Sequence, residues 1–544
     1  MTLHLSRLFK ILSLLCALHW NALGQEHSST DVRIAWDYSS MQQIAEMGGY
    51  PRLTRLKDST LLVVYETRTG NVHLKKSTDD GKSWSAPMEV FSQFVYASAD
   101  GKSTLVNIAN PEIKQLENGD VIIACNYRPQ KAEIAPYSIV VRRSTDNAQT
   151  WLPPQCLYSA APRFTDGCWE PSFLQLPGGE LQVYFANENP YRNSNEQEIS
   201  MLRSQDNGIT WSEKTTTVSF RKNRRDGMPV PVILGNDIVV AIEDNKIGQF
   251  KPYTVRTTIS KNWAEPVLAD SPNRKYALDN LVADTIYMGA PYLIKLPNGQ
   301  TLLSYQTNER RMHDWELSTM EVAIGDTEGK KFGKRTRPFD VPLNKEAKWN
   351  SLSVWDNRTV AALSSSDFKS RYVAPWLIKG YIIPDIKLKN SKIDDYPIFI
   401  GTKGQSNLKA GLTFSDGSII MECNVSEPKA TPASDSSGVF LFLKLNKQVY
   451  KIWSSKGGQN HLFIKKHDQW KRSALISKLS INVKHTPQGY QISYRIPPSF
   501  HGAKASQEFS IGLAFSTRNK EKRYVEHLAN MEEGRPETWI KILL

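Results

Sequence analysis

The sequence predicts an all-β protein in which a six-bladed β-propeller is followed by a smaller β-sandwich domain. Three observations predict it: a turn motif that recurs, a pair of apolar strands that returns at intervals of about 60 residues, and a change of pattern after residue 385. Repeats of this length usually decide the whole architecture of a chain.

The turn motif has the pattern Ser-x-Asp-x-Gly-x-x-Trp. It occupies residues 77–84 and 204–211, and residues 144–151 match it except that Ala148 stands at the glycine position. The aspartate can bond to its own backbone and glycine permits a positive φ, so the motif favours a tight turn. Each copy therefore predicts a rigid turn between two strands, with the tryptophan packed against the hairpin, rather than a catalytic motif.

The longer repeat is a pair of apolar strands joined by a turn. Pro51, Pro111, Pro171 and Pro291 begin four copies and fall on a 60-residue lattice, and Ser351 stands at this point of the sixth copy. Six copies of a four-stranded unit predict six blades around a channel, over residues 32–385, with a β-solenoid as the alternative. The residues before the lattice point are Tyr50, Asn110, Glu170, Gly227 or Met228, Ala290 and Asn350.

The two ends of the chain have patterns of their own. Residues 1–24 read as a secretory signal peptide, with a membrane anchor as the alternative; their apolar run, 11–18, is shorter than the roughly 20 residues that span a bilayer. We therefore expect a secreted or periplasmic protein without a membrane span. Residues 386–396 are polar and lysine-rich, which indicates a linker, and strand-like runs over 397–544 predict the sandwich.

Charge and cysteine content limit the classes of function. The formal net charge is +13, and basic residues mix with acidic ones along most of the chain. Such a surface would help the protein approach an acidic polymer, whereas an exported protein without a nucleic-acid motif is not expected to bind nucleic acid. Cys156 and Cys168 could pair. No spacing of cysteine and histidine suits a metal, so we expect no metal and no cofactor. We also expect a monomer.

Two glutamates stand where the chemistry of a propeller is expected. Glu170 occupies an entry to an inner strand, which needs no carboxylate, and Trp169 beside it offers a flat face for a sugar ring. Glu243 follows the apolar run 239–242, so desolvation could raise its pKa. Glycoside hydrolysis commonly uses two carboxyl groups that flank one bond. The alternative for each glutamate is a solvated side chain or one paired with arginine.

The turn motifs and six blades resemble the sialidase superfamily. Within it, residues 110–119, 167–171 and 241–244 resemble glycoside hydrolase family 93, the exo-α-1,5-L-arabinanases. This resemblance implies a retaining exo-hydrolase that releases arabinobiose from linear arabinan, with Glu170 as nucleophile, Glu243 as acid/base and their carboxyls about 5–6 Å apart. The expected substrate-binding residues are Arg52, Asn110, Trp169, Asp244 and Trp349.

Two other functions stay open at this point. True sialidases hold their substrate with three arginines and carry Arg-Ile-Pro at the first blade, whereas the only such tripeptide here is at 495–497. A sialidase and a catalytically inactive glycan-binding propeller are therefore the alternatives. The C-terminal domain resembles family 9 carbohydrate-binding modules, in which Trp453, Trp470 or Tyr490 would bind sugar.

Overall fold

A computed structural model of the chain describes residues 32–388, 392–403, 406–427, 437–445, 447–501, 508–518 and 523–543. The predicted signal peptide, 1–24, lies outside the described residues. No helix within the described ranges is both long enough and apolar enough to cross a membrane. Strands dominate, and the only α-helix of the described part, α1, is Pro498–His501. The all-β prediction is thus confirmed.

Six antiparallel sheets of four or five strands, which we call blades 1 to 6, come from residues 33–383. Blade 1 comprises β2 (Gly49–Arg55), β3 (Leu61–Glu66), β4 (Val72–Ser77) and β5 (Met88–Phe91). Blade 2 comprises β6 (Phe94–Ala97), β7 (Ser103–Gln115), β8 (Val121–Pro129), β9 (Ser138–Ser144) and β10 (Gln155–Ser159). Blade 3 comprises β11 (Cys168–Gln175), β12 (Leu181–Asn187), β13 (Glu198–Ser204) and β14 (Thr216–Ser219).

The remaining blades repeat this order. Blade 4 comprises β15 (Asp226–Leu234), β16 (Asp237–Asp244), β17 (Lys251–Thr258) and β18 (Arg274–Tyr276). Blade 5 comprises β19 (Met288–Lys295), β20 (Thr301–Thr307), β21 (Thr319–Gly325) and β22 (Gly333–Thr336). Blade 6 comprises β23 (Ala347–Asp356), β24 (Thr359–Ser366), β25 (Ala374–Ile383) and β1 (Arg33–Gln43).

The blades form a closed ring. The first strands β2, β7, β11, β15, β19 and β23 contact one another in this order, and β23 contacts β2. Because β1 pairs with β25, blade 6 is built from both ends of this part of the chain. Opening the ring would therefore break backbone hydrogen bonds as well as apolar packing.

The recurrent turn motif forms the turn that its residues predict. In blade 1 the amide of Gly81 donates to Ser77 Oγ over 2.8 Å, and that hydroxyl donates to Asp79 Oδ1. Ala148, which replaces the glycine in blade 2, adopts a left-handed conformation with φ of 61° and is buried. The turn geometry thus persists there despite the strain that a Cβ adds at positive φ.

The C-terminal part consists of two sheets that share one apolar core. One sheet comprises β27 (Ile398–Gly401), β28 (Asn407–Ser415), β29 (Ser418–Ser426), β34 (Ser480–Thr486) and β35 (Gly489–Ile496). The other comprises β26 (Ile386–Lys387), β30 (Gly438–Leu445), β31 (Gln448–Ser455), β32 (Asn460–Lys466), β33 (Gln469–Ser473), β36 (Glu508–Arg518), β37 (Arg523–His527) and β38 (Ile540–Leu543).

The junction between the two parts is well defined on its described residues. The guanidinium of Arg33, on β1, donates to the carbonyl oxygens of Thr538 and Trp539 over 2.6 and 2.8 Å. Within the stretch predicted as a linker, 386–396, β26 pairs in parallel with β38. Part of that stretch therefore belongs to the larger C-terminal sheet.

Candidate active site

Each first strand contains one residue in the left-handed conformation, at a bulge where the register with the second strand shifts. Their φ angles lie between 49° and 53°. Such φ values are uncommon for residues other than glycine. Because the same strained geometry recurs in all six first strands, the bulge is a regular structural element of the ring. These ring residues are Tyr50, Asn110, Glu170, Met228, Ala290 and Trp349.

The sixth ring residue corrects the sequence lattice by one position. The sequence aligned Asn350 with the residue before the proline, but Trp349 has the left-handed φ. Asn350 occupies the place of the proline, and its side-chain amide donates to the carbonyl oxygen of Ala290 over 3.1 Å. With no proline to mark the position, the alignment of this copy could slip.

Side chains at the ends of the second strands hold the ring residues in place. In five of the six blades the backbone N–H of the ring residue donates to a side chain near the end of the second strand in the preceding blade. Glu243 is one of these acceptors, so it stabilises the fold as well as facing the funnel. The pairs are Tyr50 with Ser365, Asn110 with Glu66, Glu170 with Asn126, Ala290 with Glu243 and Trp349 with Gln306, at 2.7–3.0 Å.

Glu170 and Glu243 lie close enough to interact electrostatically. Both carboxyls are only partly accessible. Burial raises the pKa of Glu170 to about 8, and the charge of Glu243 adds to this rise. Burial raises the pKa of Glu243 to about 7, although the amide of Ala290 and the charge of Arg225 act in the opposite direction. Raised pKa values at neighbouring carboxyls are typical of acid–base catalysis.

Two glycines make room for the carboxyl of Glu243. A Cβ at Gly289 would lie 2.6 Å from Oε2 of Glu243, and a Cβ at Gly227 would lie 2.9 Å from Oε1. Carbon atoms do not approach oxygen so closely without displacement. The carboxyl therefore fits between two backbone segments that lack side chains, which fixes its position.

Tyr287 is a site residue that the sequence reasoning missed. Its hydroxyl would lie 2.3 Å from a Cβ at Gly289, so it adjoins Glu243. It accepts a hydrogen bond from Gln306 Nε2 over 3.0 Å. Burial and the charges of Glu243 and Glu170 raise its pKa, so the phenol keeps its proton. Tyr287 precedes the fifth lattice point, Pro291, by four residues, and no repeat feature marks it.

Two arginines flank the carboxyls. The charges of Arg128 and Arg225 both lower the pKa of Glu170. Arg225 forms an ion pair with Glu188 at 2.9 Å. Arg128 donates to the side-chain oxygen of Asn110, which brings this predicted residue to the same side of the funnel as Glu170.

Arg52 lies in a buried ion pair. Its Nε is 3.0 Å from Oε2 of Glu112, its side chain is 3% exposed, and its guanidinium lies 3.9 Å from the ring centre of Tyr50. The hydroxyl of Tyr292 donates to the other oxygen of Glu112 over 3.2 Å. Arg52, Glu112 and Tyr292 each follow a ring residue by two positions, so they form a deeper layer of the channel.

Trp169 and Asp244 sit beside the two glutamates in sequence but face away from them. Trp169 is 5% exposed, packs in the core of blades 2 and 3, and donates through Nε1 to Glu188 over 2.6 Å. Asp244 is fully buried and accepts from Arg221 and Arg274 over 2.9 and 2.8 Å. Neither side chain is presented to the funnel.

Trp349 is the predicted aromatic residue that does line the funnel. It is partly exposed and packs against the ring residues Tyr50, Met228 and Ala290. The structure thus gathers Glu170, Glu243, Asn110 and Trp349 around the channel mouth. Across the described ranges, no cluster of three histidine, cysteine or acidic side chains is placed to hold a metal ion, and the described cysteines are free.

No protein-family profile and no curated protein matches the chain. Solved structures similar to it include the arabinofuranosidase of Fusarium graminearum with arabinobiose (17% identity, 65% of this chain and 98% of that chain, TM-score 0.45). They also include the Penicillium chrysogenum α-L-arabinanase with arabinobiose (16%, 65% and 98%, TM-score 0.44) and the NanB sialidase of Streptococcus pneumoniae (12%, 62% and 70%, TM-score 0.44). The family 9 likeness of the C-terminal domain stays a prediction.

Proposed function

We propose that the protein is a retaining exo-glycoside hydrolase that acts on α-L-arabinan or a related arabinoside. The observation that carries the proposal is the pair Glu170 and Glu243, two partly buried carboxyls with raised pKa values at one funnel mouth. The family resemblance supplies the arabinoside. The same resemblance supplies the exo action.

The surroundings of the two carboxyls differ in a way that assigns their roles. Glu243 accepts the amide of Ala290 over 2.8 Å, which stabilises its ionised form. Among the described residues, the carboxyl of Glu170 accepts no such bond, and its pKa lies higher. We therefore reverse the order favoured by the sequence: Glu243 is the nucleophile and Glu170 is the acid/base.

The chemistry then follows in two balanced steps. A carboxylate oxygen of Glu243 attacks the anomeric carbon while Glu170 gives its proton to the leaving glycosidic oxygen, which leaves a glycosyl ester on Glu243. A water molecule next attacks the same carbon, Glu170 takes a proton from that water, and the ester bond to Glu243 breaks. Each enzyme group returns to its starting protonation state, and the anomeric configuration is retained.

The two alternative functions, a sialidase and an inactive glycan-binding propeller, fit the observed contacts less well. A sialidase needs three arginines for the substrate carboxylate, but two act on the Glu170 site and the charge of Arg52 is balanced by Glu112. An inactive glycan-binding propeller would have no use for two adjacent carboxyls that are costly to ionise.

The test separates the two glutamates. Glu170→Ala and Glu243→Ala should each lower arabinobiose release from linear arabinan by about 10³-fold or more. With an aryl arabinoside, whose leaving group needs no proton, Glu170→Ala should still form the ester, and azide should accelerate its turnover. Glu243→Ala should fail to form it. Activity that survives both substitutions, or release of sialic acid from sialyllactose by the unaltered protein, would refute the proposal.

A further inference from the structure

The outer face of the larger C-terminal sheet carries aromatic side chains. Alternate residues of a strand point to opposite faces, and the core takes Leu441, Leu443, Ile452 and Leu462. The register therefore places the intervening residues side by side on the other face. These are Phe440, Lys451, Trp453, His461, Phe463, Lys465, Trp470 and Arg472. Phe442 shares this register but is fully buried, with its ring centre 5.6 Å from that of Trp539.

Five of these side chains line an open cavity of about 250 Å³: Phe440, Lys451, Trp453, Phe463 and Trp470. The ring centres of Phe440 and Trp453 are 4.3 Å apart. The ammonium of Lys451 lies 5.0 Å from the ring centre of Phe440 and 5.6 Å from that of Trp470. Pockets that enclose drug-sized ligands measure about 300–1,000 Å³, so this one suits a single ring-sized unit of a larger molecule.

A basic hairpin borders the cavity. Between residues 460 and 473, four basic residues stand against one acidic residue, Asp468. Lys465 pairs with Asp468 at 3.0 Å, whereas Arg472 bonds to the ring of His461 at 2.8 Å and has no carboxylate partner among the described residues. Lys466 and Lys471 are exposed beside it. The hairpin thus presents positive charge next to flat apolar faces.

We propose that this face binds an anionic polysaccharide built of uronic acid units. One sugar ring would lie in the aromatic cavity, and carboxylates of neighbouring units would meet Arg472, Lys466 and Lys471. Charge-assisted bonds from arginine and lysine to carboxylates favour such a polymer over a neutral one.

Single-stranded nucleic acid also combines stacking with basic side chains, but it follows a track of about 4–16 nucleotides per domain. The cavity here is one ring long. The preference for a glycan also rests on the proposed function of the funnel.

The experiment uses the full chain with Glu170→Gln and Glu243→Gln, so that no polymer is hydrolysed. Binding is measured by calorimetry to polygalacturonate, to a neutral β-glucan and to a single-stranded oligonucleotide. We expect binding to polygalacturonate alone, weakening steeply with added salt. Equal binding of the neutral polymer, tighter binding of the oligonucleotide, or no binding at all would overturn the proposal.

Variants place the site on the hairpin face. Trp470→Ala and Arg472→Gln should each weaken binding by about tenfold or more, since a few anchors dominate most interfaces. Lys484→Gln removes one exposed lysine from the other sheet and should change nothing. Thermal unfolding checks that each variant is folded, and binding that survives both hairpin changes would overturn the assignment. The same single variants, with both glutamates intact, should hydrolyse a small arabinoside as fast as the unaltered protein. Failure of the proposed hydrolase function would therefore appear in this assay, and failure of the proposed binding face would appear in the binding assay.

Discussion

Glu170 is expected to destabilise the folded protein at neutral pH. The folded state holds its proton up to a pKa of about 8, whereas the unfolded chain releases it above the ordinary value of 4.5. Between these pH values the folded state binds more protons than the unfolded state, so stability falls as pH rises. Glu170→Gln replaces the carboxyl with a neutral group of the same shape and removes this dependence.

The size of the effect follows from the titration. Between pH 4.5 and pH 7, at about 1.4 kcal/mol per pH unit, the folded state loses about 3 kcal/mol, which is an upper value for a partly accessible group. A propeller of roughly 350 residues unfolds with about 2.1 cal/mol/K of entropy per residue, so the variant should melt about 4 °C higher at pH 7.

Calorimetric melting of both proteins at pH 4.5 and pH 7 measures this. The two should melt together at pH 4.5 and separate at pH 7, while the variant loses activity, as expected where function costs stability. Glu213→Gln, at an exposed glutamate of the same domain, is the control and should show no pH-dependent gain. A variant that melts equally with, or below, the parent protein at pH 7 would refute the reasoning.

Three further predictions concern the same funnel. The rate constant kcat/KM should be bell-shaped in pH, with limbs near 7 and 8, because one carboxyl must be ionised and the other protonated; a flat profile from pH 5 to 9 would contradict this. Gly289→Ala should lower kcat by about 10²-fold, since its Cβ would displace Glu243, whereas Gly49→Ala, at the same position of blade 1, meets its nearest atom at 3.3 Å and should retain activity. Arg52→Ala should lower the free energy of unfolding by about 3–5 kcal/mol, because it leaves Glu112 buried and unpaired. If urea unfolding shows no such loss, the structural role is wrong and Arg52 would be assigned to substrate binding, as the sequence predicted.

The sequence lattice was enough to predict the strand pairs and to single out both glutamates, because strand periodicity and proline positions are local signals. The side of a strand to which neighbouring side chains point was not predicted from the sequence. Asp244 follows Glu243 on a regular strand and so must point to the opposite side, where Arg274 meets it. That consequence of strand geometry could have been drawn from sequence.

Other features depend on contacts between distant residues. Arg52 and Glu112 occupy the same position in successive repeats, and only the closed ring brings them within 3.0 Å. Tyr287 lies before a strand and outside any repeat, so its place beside Glu243 depends on the path of the loop that leads into blade 5. No local pattern encodes such proximity.

The repeat explains why the ring offers one site for a carboxyl pair. Glu170 is the ring residue of blade 3, and Glu243 ends the second strand of blade 4. Glu66 ends the second strand of blade 1 in the same register, but the corresponding ring residue in blade 6 is Trp349. At this register position the other second strands have Asn126, Ala186, Gln306 and Ser365.

Within the ring, two carboxyls therefore coincide only across blades 3 and 4. Because Ala186 has no side-chain acceptor, the backbone N–H of Met228 donates to no side chain within the described ranges, so the bond that fixes five ring residues is missing next to this pair. The missing bond of the repeat thus lies next to the place where the carboxyls meet. This is expected when a repeated scaffold supplies rigidity and a departure from the repeat supplies chemistry.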